Sequence, residues 1–309
     1  MYRSSATYLK SLSKAKFKEF LDSFDTVLTD CDGVLWIDQD ALPGSPQVMN
    51  KFRELGKQIY YVTNNSTKIR EDFLNKANNL GFKATKDEIQ CTSFLAADYL
   101  KNLGFKKKVY LIASEGLAKE MELAGIDHLP IGKDEMNTDL GTYLSTLRQD
   151  PNVGAVVIGF DEHFNYCKMI KAANYLNNPE CLFIATNTDE RYPSKTDIVL
   201  PGSGSIVRAV ETCAERQAVI LGKPSSYIAE SLIKRGLNPA RTLMIGDRCN
   251  TDILLGTRNG FQTLLVLSGI TKLNEVEAWK VSNKPEELEL VPDLYVDKLG
   301  DLIEYFDAC

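Results

Sequence analysis

Two aspartates one residue apart, Asp30 and Asp32, stand at the end of a short apolar run and lead into Gly33. Two carboxylates on one tight turn repel each other. At ~4 Å and an effective dielectric near 20, such a pair costs about 4 kcal/mol. The turn is either a plain acidic loop, with Gly33 supplying a positive φ, or a place where a cation or a reacting group meets the two acids. Three other stretches bear on the choice. Thr63-Asn64-Asn65-Ser66 offers hydroxyl and amide donors, Gly222-Lys223-Pro224 offers a cation, and Gly246-Asp247-Arg248-Cys249-Asn250-Thr251-Asp252 offers two more acids. Gathered in one place, these groups would form an acidic cage with one fixed positive charge. Carboxylate oxygens in such a cage suit a hard divalent metal, Mg²⁺ above all. Hydroxyls, amides and a lysine suit a phosphate.

The elements that must position these groups alternate along the chain. Val27 and Leu28 belong to a first strand, residues 58–62 to a second and residues 241–245 to a later one. Each ends on one of the polar stretches, which is where open α/β sheets place their ligands. Helices are expected over residues 46–55, 68–80 and 93–103. The middle third repeats the pattern, with strands at 108–113, 155–159 and 181–185 and helices at 115–124 and 164–176. Val219-Ile220-Leu221 and residues 261–267 read as further strands, and residues 292–296 as an edge strand. Such alternation implies parallel sheets covered by helices. The glycines of Pro201-Gly202-Ser203-Gly204-Ser205 lack the spacing of a dinucleotide loop, so Ser205 is expected to cap a helix there. Gly222-Lys223-Pro224 lacks the upstream glycine and the following Ser/Thr of a P-loop.

Composition narrows the function. The chain has 309 residues, 44% of them hydrophobic and 25% charged, with a formal net charge of −6. That balance is ordinary for a soluble globular enzyme and provides no basic stripe for nucleic acid or a membrane surface. No apolar run approaches the ~20 residues that a spanning helix needs. Seven cysteines, without paired or zinc-ligand spacing, suggest reduced thiols and a cytoplasmic setting. His128 and His163 are the sole histidines, too few for a histidine-based metal site, so carboxylates are left to do the chemistry. The first eighteen residues carry Arg3, Lys10, Lys14 and Lys16 and no acid, faintly like a transit peptide. The spacing of Leu9, Leu12, Phe17, Phe20 and Leu21 favours an amphipathic helix instead.

The sequence resembles the haloacid-dehalogenase-type phosphatases. Their motifs stand here as Asp30-x-Asp32-Gly33-Val34, Thr63-Asn64, Lys223-Pro224 and Gly246-Asp247-x-x-x-x-Asp252. Asp32-Gly33-Val34-Leu35-Trp36, Thr63-Asn64-Asn65-Ser66 and Val157-Ile158-Gly159-Phe160-Asp161 are similar to the branch with a large α/β cap. That branch includes phosphoglycolate phosphatase, pyridoxal-phosphate phosphatase and the enzymes named for 4-nitrophenyl phosphate. The resemblance implies a doubly wound parallel-sheet core over 1–103 and 213–309, with an inserted α/β cap over 104–212. It implies a Mg²⁺-dependent phosphomonoesterase working through an aspartyl-phosphate, and a homodimer through the cap.

The resemblance also assigns roles. Asp30 would be the nucleophile and Asp32 the acid/base. Mg²⁺ would be held by Asp30, the Asp32 carbonyl and Asp247, supported by Asp252. Thr63, Asn64, Asn65 and Lys223 would hold the phosphate. In the cap, the loop Asp189-Glu190-Arg191-Tyr192-Pro193 would read the substrate, with Arg191 able to pair with a carboxylate. Its spacing favours phosphoglycolate, while pyridoxal phosphate and a broad 4-nitrophenylphosphatase stay open as alternatives. A phosphomutase would also keep Asp32, whereas a catalytically dead scaffold would be expected to have lost one of Asp30, Asp32, Lys223 or Asp247. Cys31 and Cys249 adjoin site acids, and the carboxylates should make both thiols sluggish.

Overall fold

The computed structural model describes residues 4–192 and 198–306, except that nothing is described of the Tyr192 side chain. The chain forms two compact units. The first gathers residues 1–63, 70–90 and 223–309, and the second residues 64–69 and 91–222.

The first unit is built on a seven-stranded sheet. Its strand order is Thr7–Tyr8, Leu294–Val296, Gln262–Val266, Thr242–Gly246, Thr26–Thr29, Gln58–Thr63, Ile89–Cys91. The four residues of Thr26–Thr29 are all buried, as befits a central strand covered on both faces. It pairs in parallel with Gln58–Thr63 on one side and Thr242–Gly246 on the other. Successive strands run outward from it in opposite directions, the doubly wound order whose reversal point opens a crevice at the strands' carboxyl ends. Leu294–Val296, expected at the edge, is instead covered by Thr7–Tyr8, which pairs with it in parallel. The N-terminal segment therefore contributes to the sheet before its helix, Lys14–Asp22, begins. Phe17, Phe20, Phe24 and Phe52 are fully buried in this unit, where Phe17 meets Tyr305 and Phe52 meets Phe306. Each such side chain contributes roughly 1.5–3 kcal/mol of burial.

The second unit carries a four-stranded parallel sheet in the order Val219–Ile220, Leu182–Ala185, Val153–Ile158, Lys108–Ile112. Every residue of Val153–Ile158 is buried. Helices Tyr166–Leu176 and Ser203–Ala214 pack on each other, as do Thr92–Asn102 and Glu115–Leu123.

The units divide at Thr63/Asn64, Ile69/Arg70, Gln90/Cys91 and Gly222/Lys223, whereas the resemblance implied 103/104 and 212/213. Two contacts explain the difference: Thr92–Asn102 packs on Glu115–Leu123, and Val219–Ile220 pairs with Leu182–Ala185. Neither partner is visible from periodicity. Ser205 is not a helix cap, because the helix starts at Ser203 with Gly202 before it. Gly202 and Gly204 serve a close backbone approach instead. A Cβ on them would lie 2.3 Å from the Asp189 carbonyl oxygen and 2.2 Å from that of Thr188.

Candidate active site

Three neighbouring strands of the first unit end side by side in polar residues. Asp30 follows Thr26–Thr29, Thr63 closes Gln58–Thr63, and Asp247 follows Thr242–Gly246. The Asp30 N–H donates to the Ile245 carbonyl at 2.8 Å, so the ladder continues one residue past the strand and fixes the backbone of the first acid. The carboxylates of Asp30, Asp247 and Asp252 offer oxygens that lie within 4.8 Å of one another.

The backbone around the cluster leaves no room for Cβ atoms. Gly33 has φ +83°, and a Cβ there would lie 2.6 Å from Asp247 Oδ2. At Gly269 the corresponding separation would be 1.7 Å. The Ser268–Thr271 loop clamps this acid: the Ile270 N–H donates to Asp247 Oδ2 at 2.9 Å and the Thr271 N–H to the Asp247 carbonyl at 3.0 Å. Ser268 Oγ donates to the Gly33 carbonyl at 2.7 Å, tying the loop to the acidic turn. This loop carried no recognisable signal in the sequence. A π-helical turn, Cys249–Ile253, brings Asp252 back toward the strand end, and a Cβ at Gly246 would lie 2.1 Å from its Cβ.

Lys223 is buried among these acids. Its ammonium lies 2.6 Å from Asp30 Oδ1 and 2.7 Å from Asp252 Oδ1, and donates to the Val62 carbonyl at 3.1 Å. Burial alone would lower its pKa, but Asp252 and Asp30 outweigh burial and hold it up. One ammonium does not balance three carboxylates. Burial, with the charges of Asp30 and Asp252, pushes Asp247 up to about 8. Burial and Asp30 push Asp252 up to about 7 against the pull of Lys223. A clustered, oxygen-only donor set that carries excess negative charge fits a hard divalent cation.

Asp32 faces different company. Its Oδ1 accepts from the Trp36 indole N–H at 3.0 Å and lies 3.9 Å from the Lys76 ammonium. Burial and the Asp30 charge raise its pKa, while Lys76 and Trp36 oppose that rise. Lys76 was not singled out in the sequence, because a lysine within a helix ordinarily reads as solvated surface.

The remaining sequence-derived candidates divide between the units. Thr63 is buried at its strand end. Asn64 and Asn65 start the segment that belongs to the second unit. There the Asn64 amide donates to Asp189 Oδ2 at 3.1 Å, and its carbonyl accepts from Asn187 Nδ2 and Thr92 Oγ1, each at 2.7 Å. Asn65 Oδ1 accepts from the Thr67 N–H and hydroxyl, closing a tight turn. Arg191, expected in a loop, lies in a short antiparallel pair in which Arg191–Tyr192 faces Leu200–Pro201. It is exposed. The side chain of Tyr192 and all of Pro193 lie outside the described residues. Among the described residues no helix is long and apolar enough to cross a membrane.

Comparison with known proteins gives the family. Residues 27–127 match the haloacid dehalogenase-like hydrolase family, and residues 220–302 match a second HAD-hydrolase-like family. The chain is 40% identical over 301 residues to the glycerol-3-phosphate phosphatase of Rattus norvegicus, covering 94% of each chain. It is 39% identical over 290 residues to the chloroplastic phosphoglycolate phosphatase 1A of Arabidopsis thaliana, covering 92% of this chain and 78% of that one. The solved p-nitrophenyl phosphatase from Archaeoglobus fulgidus superposes with a TM-score of 0.76 at 28% identity, over 91% of this chain and 99% of that one. With strand-end acids, buried lysine and relatives along nearly its whole length in agreement, the chain belongs to the haloacid dehalogenase-like hydrolases.

Proposed function

We propose that this phosphatase hydrolyses small phosphomonoesters by a double displacement on Asp30, with Mg²⁺ as its divalent ion. The observation that carries the reading is one buried lysine set among three converging carboxylates, two of them pushed well above the usual carboxylate range. Asp30, Asp247 and the Asp32 carbonyl would hold the ion, with Asp252 in support. When bound, the ion supplies positive charge that lets an anionic nucleophile approach an anionic phosphate.

Asp30 attacks phosphorus through one carboxylate oxygen while Lys223 holds its Oδ1. The bond from phosphorus to the ester oxygen breaks, and Asp32 gives that oxygen a proton. Asp32, now a carboxylate, takes a proton from water as that water attacks the aspartyl-phosphate, which releases phosphate and restores Asp30. Thr63, Asn64 and Asn65 would donate to the phosphoryl oxygens. Asp30→Asn should lower turnover of 4-nitrophenyl phosphate by at least ~10³-fold and abolish the acid-stable phosphoenzyme. Near wild-type turnover would remove Asp30 as nucleophile.

For the leaving group, the reading is a short hydroxy acid such as glycolate, with phosphoglycolate as substrate. The exposed Arg191 guanidinium supports it, because its fork matches a carboxylate. The glycerol-3-phosphate phosphatase relatives favour a second reading, a short polyol phosphate. Arg191→Ala separates the two. Under the first, KM for phosphoglycolate rises by about tenfold and that for glycerol 3-phosphate stays nearly constant. Equal changes on both would sink the carboxylate reading, and a preference for pyridoxal phosphate in the wild type would sink both.

A further inference from the structure

A hydrogen-bond donor and a cation from different elements converge on a single oxygen of Asp32. The indole N–H of Trp36 reaches Oδ1 at 3.0 Å, and the Lys76 ammonium lies 3.9 Å from the same atom. That ammonium also sits 4.6 Å from the centre of the Trp36 ring, which closes a three-residue triangle. Neither group is loosely placed. Trp36 is fully buried, edge-on to Phe82 at 5.6 Å, and starts the short strand Trp36–Ile37, which pairs with Asp40–Ala41. Lys76 comes from the helix Arg70–Asn79, and its side chain is only 13% exposed, well below what a surface lysine shows.

A carboxyl group can turn about its last torsion with little preference between its two oxygens. An acid that must deliver a proton to one ester oxygen gains when its two oxygens are made unequal. Here an indole N–H and an ammonium face Oδ1. A proton on Oδ1 would point at the indole N–H and toward a positive charge, so Oδ1 is the accepting oxygen and Oδ2 the one that carries the proton. We propose that Trp36 and Lys76 are positioning residues that hold Asp32 by Oδ1 and so assign proton delivery to Oδ2. The inference rests on the reading of Asp32 as the acid/base. During transfer the Oδ2–H bond breaks, its electron pair stays on the carboxylate, and the proton goes to the departing ester oxygen. The new negative charge is then shared with Oδ1, beside the indole N–H and the ammonium. The plain structural alternative is that the lysine–indole contact only fastens the helix to the turn.

Leaving-group dependence tells the two apart, because a badly placed acid matters most when the departing oxygen is strongly basic. kcat/KM, which reports the step up to formation of the phosphoenzyme, is measured for 4-nitrophenyl phosphate, phenyl phosphate and glycerol 3-phosphate. The proteins compared are the wild type, Trp36→Phe, Lys76→Met, Lys76→Arg and Asp32→Asn. Asp32→Asn should lose ~10²- to 10⁴-fold with the alkyl ester and far less with the nitrophenyl ester. Trp36→Phe and Lys76→Met should follow the same slope at smaller amplitude, about tenfold with glycerol 3-phosphate and no more than about twofold with 4-nitrophenyl phosphate. Lys76→Arg, which keeps the charge, should recover most of the alkyl rate. Equal losses on all three esters, or full activity in Lys76→Met, would overturn the positioning role while the steep response of Asp32→Asn keeps the acid assignment. A flat response in Asp32→Asn would instead overturn the acid assignment itself, and this inference with it. If Trp36→Phe does not fold, as a thermal melt would show, the two Lys76 variants decide the matter alone.

Discussion

Each unit buries a lysine against aspartate, and the two burials differ in their charge balance. In the second unit Lys168 meets Asp161 at 2.5 Å, both side chains are almost wholly buried, and the other Asp161 oxygen accepts from the His163 N–H at 2.8 Å. One cation answers one anion, with a backbone donor to spare. In the first unit Lys223 answers Asp30 and Asp252 while Asp247 crowds the same space. A balanced pair is complete once the chain has folded. An unbalanced set keeps an unmet demand for positive charge, and the raised Asp247 and Asp252 record that demand. Equal burial of a lysine therefore does not mean equal purpose: the surplus of acid marks the site.

The largest effect expected from this contrast is on the two lysines. Lys223→Met should reduce phosphatase activity by at least ~10³-fold, since it removes the ammonium that faces Asp30, the proposed nucleophile. Asp161→Asn should spare most of the turnover when assayed well below the melt. It should cost about 3–5 kcal/mol in urea unfolding, the usual penalty for stranding one partner of a buried pair. Steady-state assays and denaturant curves on both variants check this. If Asp161→Asn lost activity as severely as Lys223→Met with unchanged stability, the contrast between a structural and a functional burial would collapse.

A smaller effect follows from the direction of the two raised acids. The folded-state pKa values of Asp247 and Asp252, about 8 and about 7, lie above the ordinary value of 3.8. Such groups favour the folded state below that ordinary value, and the contribution is lost as pH rises through 7 and 8. Protons and metal compete for the same oxygens, so metal binding must release protons at low pH. The rise in Tm on adding Mg²⁺ should therefore grow from pH 6 to pH 8 and level off above it. In Asp247→Asn the rise should shrink to a small, nearly pH-independent value. Scanning calorimetry with Mg²⁺ and with EDTA reads both. A gain that falls as pH rises would contradict the charge surplus.

Much of the first unit was legible because its groups lie at strand ends, where a short continuous apolar run meets an abrupt polar stretch. Asp30, Asp247, Asp252 and Lys223 came together as their types and spacing suggested. Three things were not legible, each for a physical reason. The Thr7–Tyr8 strand is two residues long and is a strand only because Leu294–Val296 offers it an edge. Thr92–Asn102 and Val219–Ile220 carry no mark of the unit they join, because helix packing and strand pairing, not local pattern, decide it. Lys76 and the Ser268–Thr271 loop act on the site through tertiary contact alone, and neither has a motif to announce it.

The smallest effect concerns the thiols, where one cysteine of the second unit differs from the two beside the site. Cys31 and Cys249 of the first unit adjoin the site acids and are fully buried. Burial, then the charges of Asp30 and Asp32, raise the Cys31 thiol, and burial pushes Cys249 up to about 12. Cys213, on the helix Ser203–Ala214 of the second unit, is exposed. Because the thiolate is the attacking species and must be reachable, Cys213 should react with iodoacetamide at least ~100-fold faster than Cys31 or Cys249. Peptide mapping at partial modification reads the ranking, and activity should stay within about a tenth of its starting value while Cys213 is consumed. The proximity of two thiols to the candidate site invites a redox switch, but burial and the neighbouring negative charge both oppose one. Fast inactivation by dilute peroxide, prevented by Cys31→Ser or Cys249→Ser, would show that the first unit opens far enough to expose its thiols and that burial there does not set their reactivity.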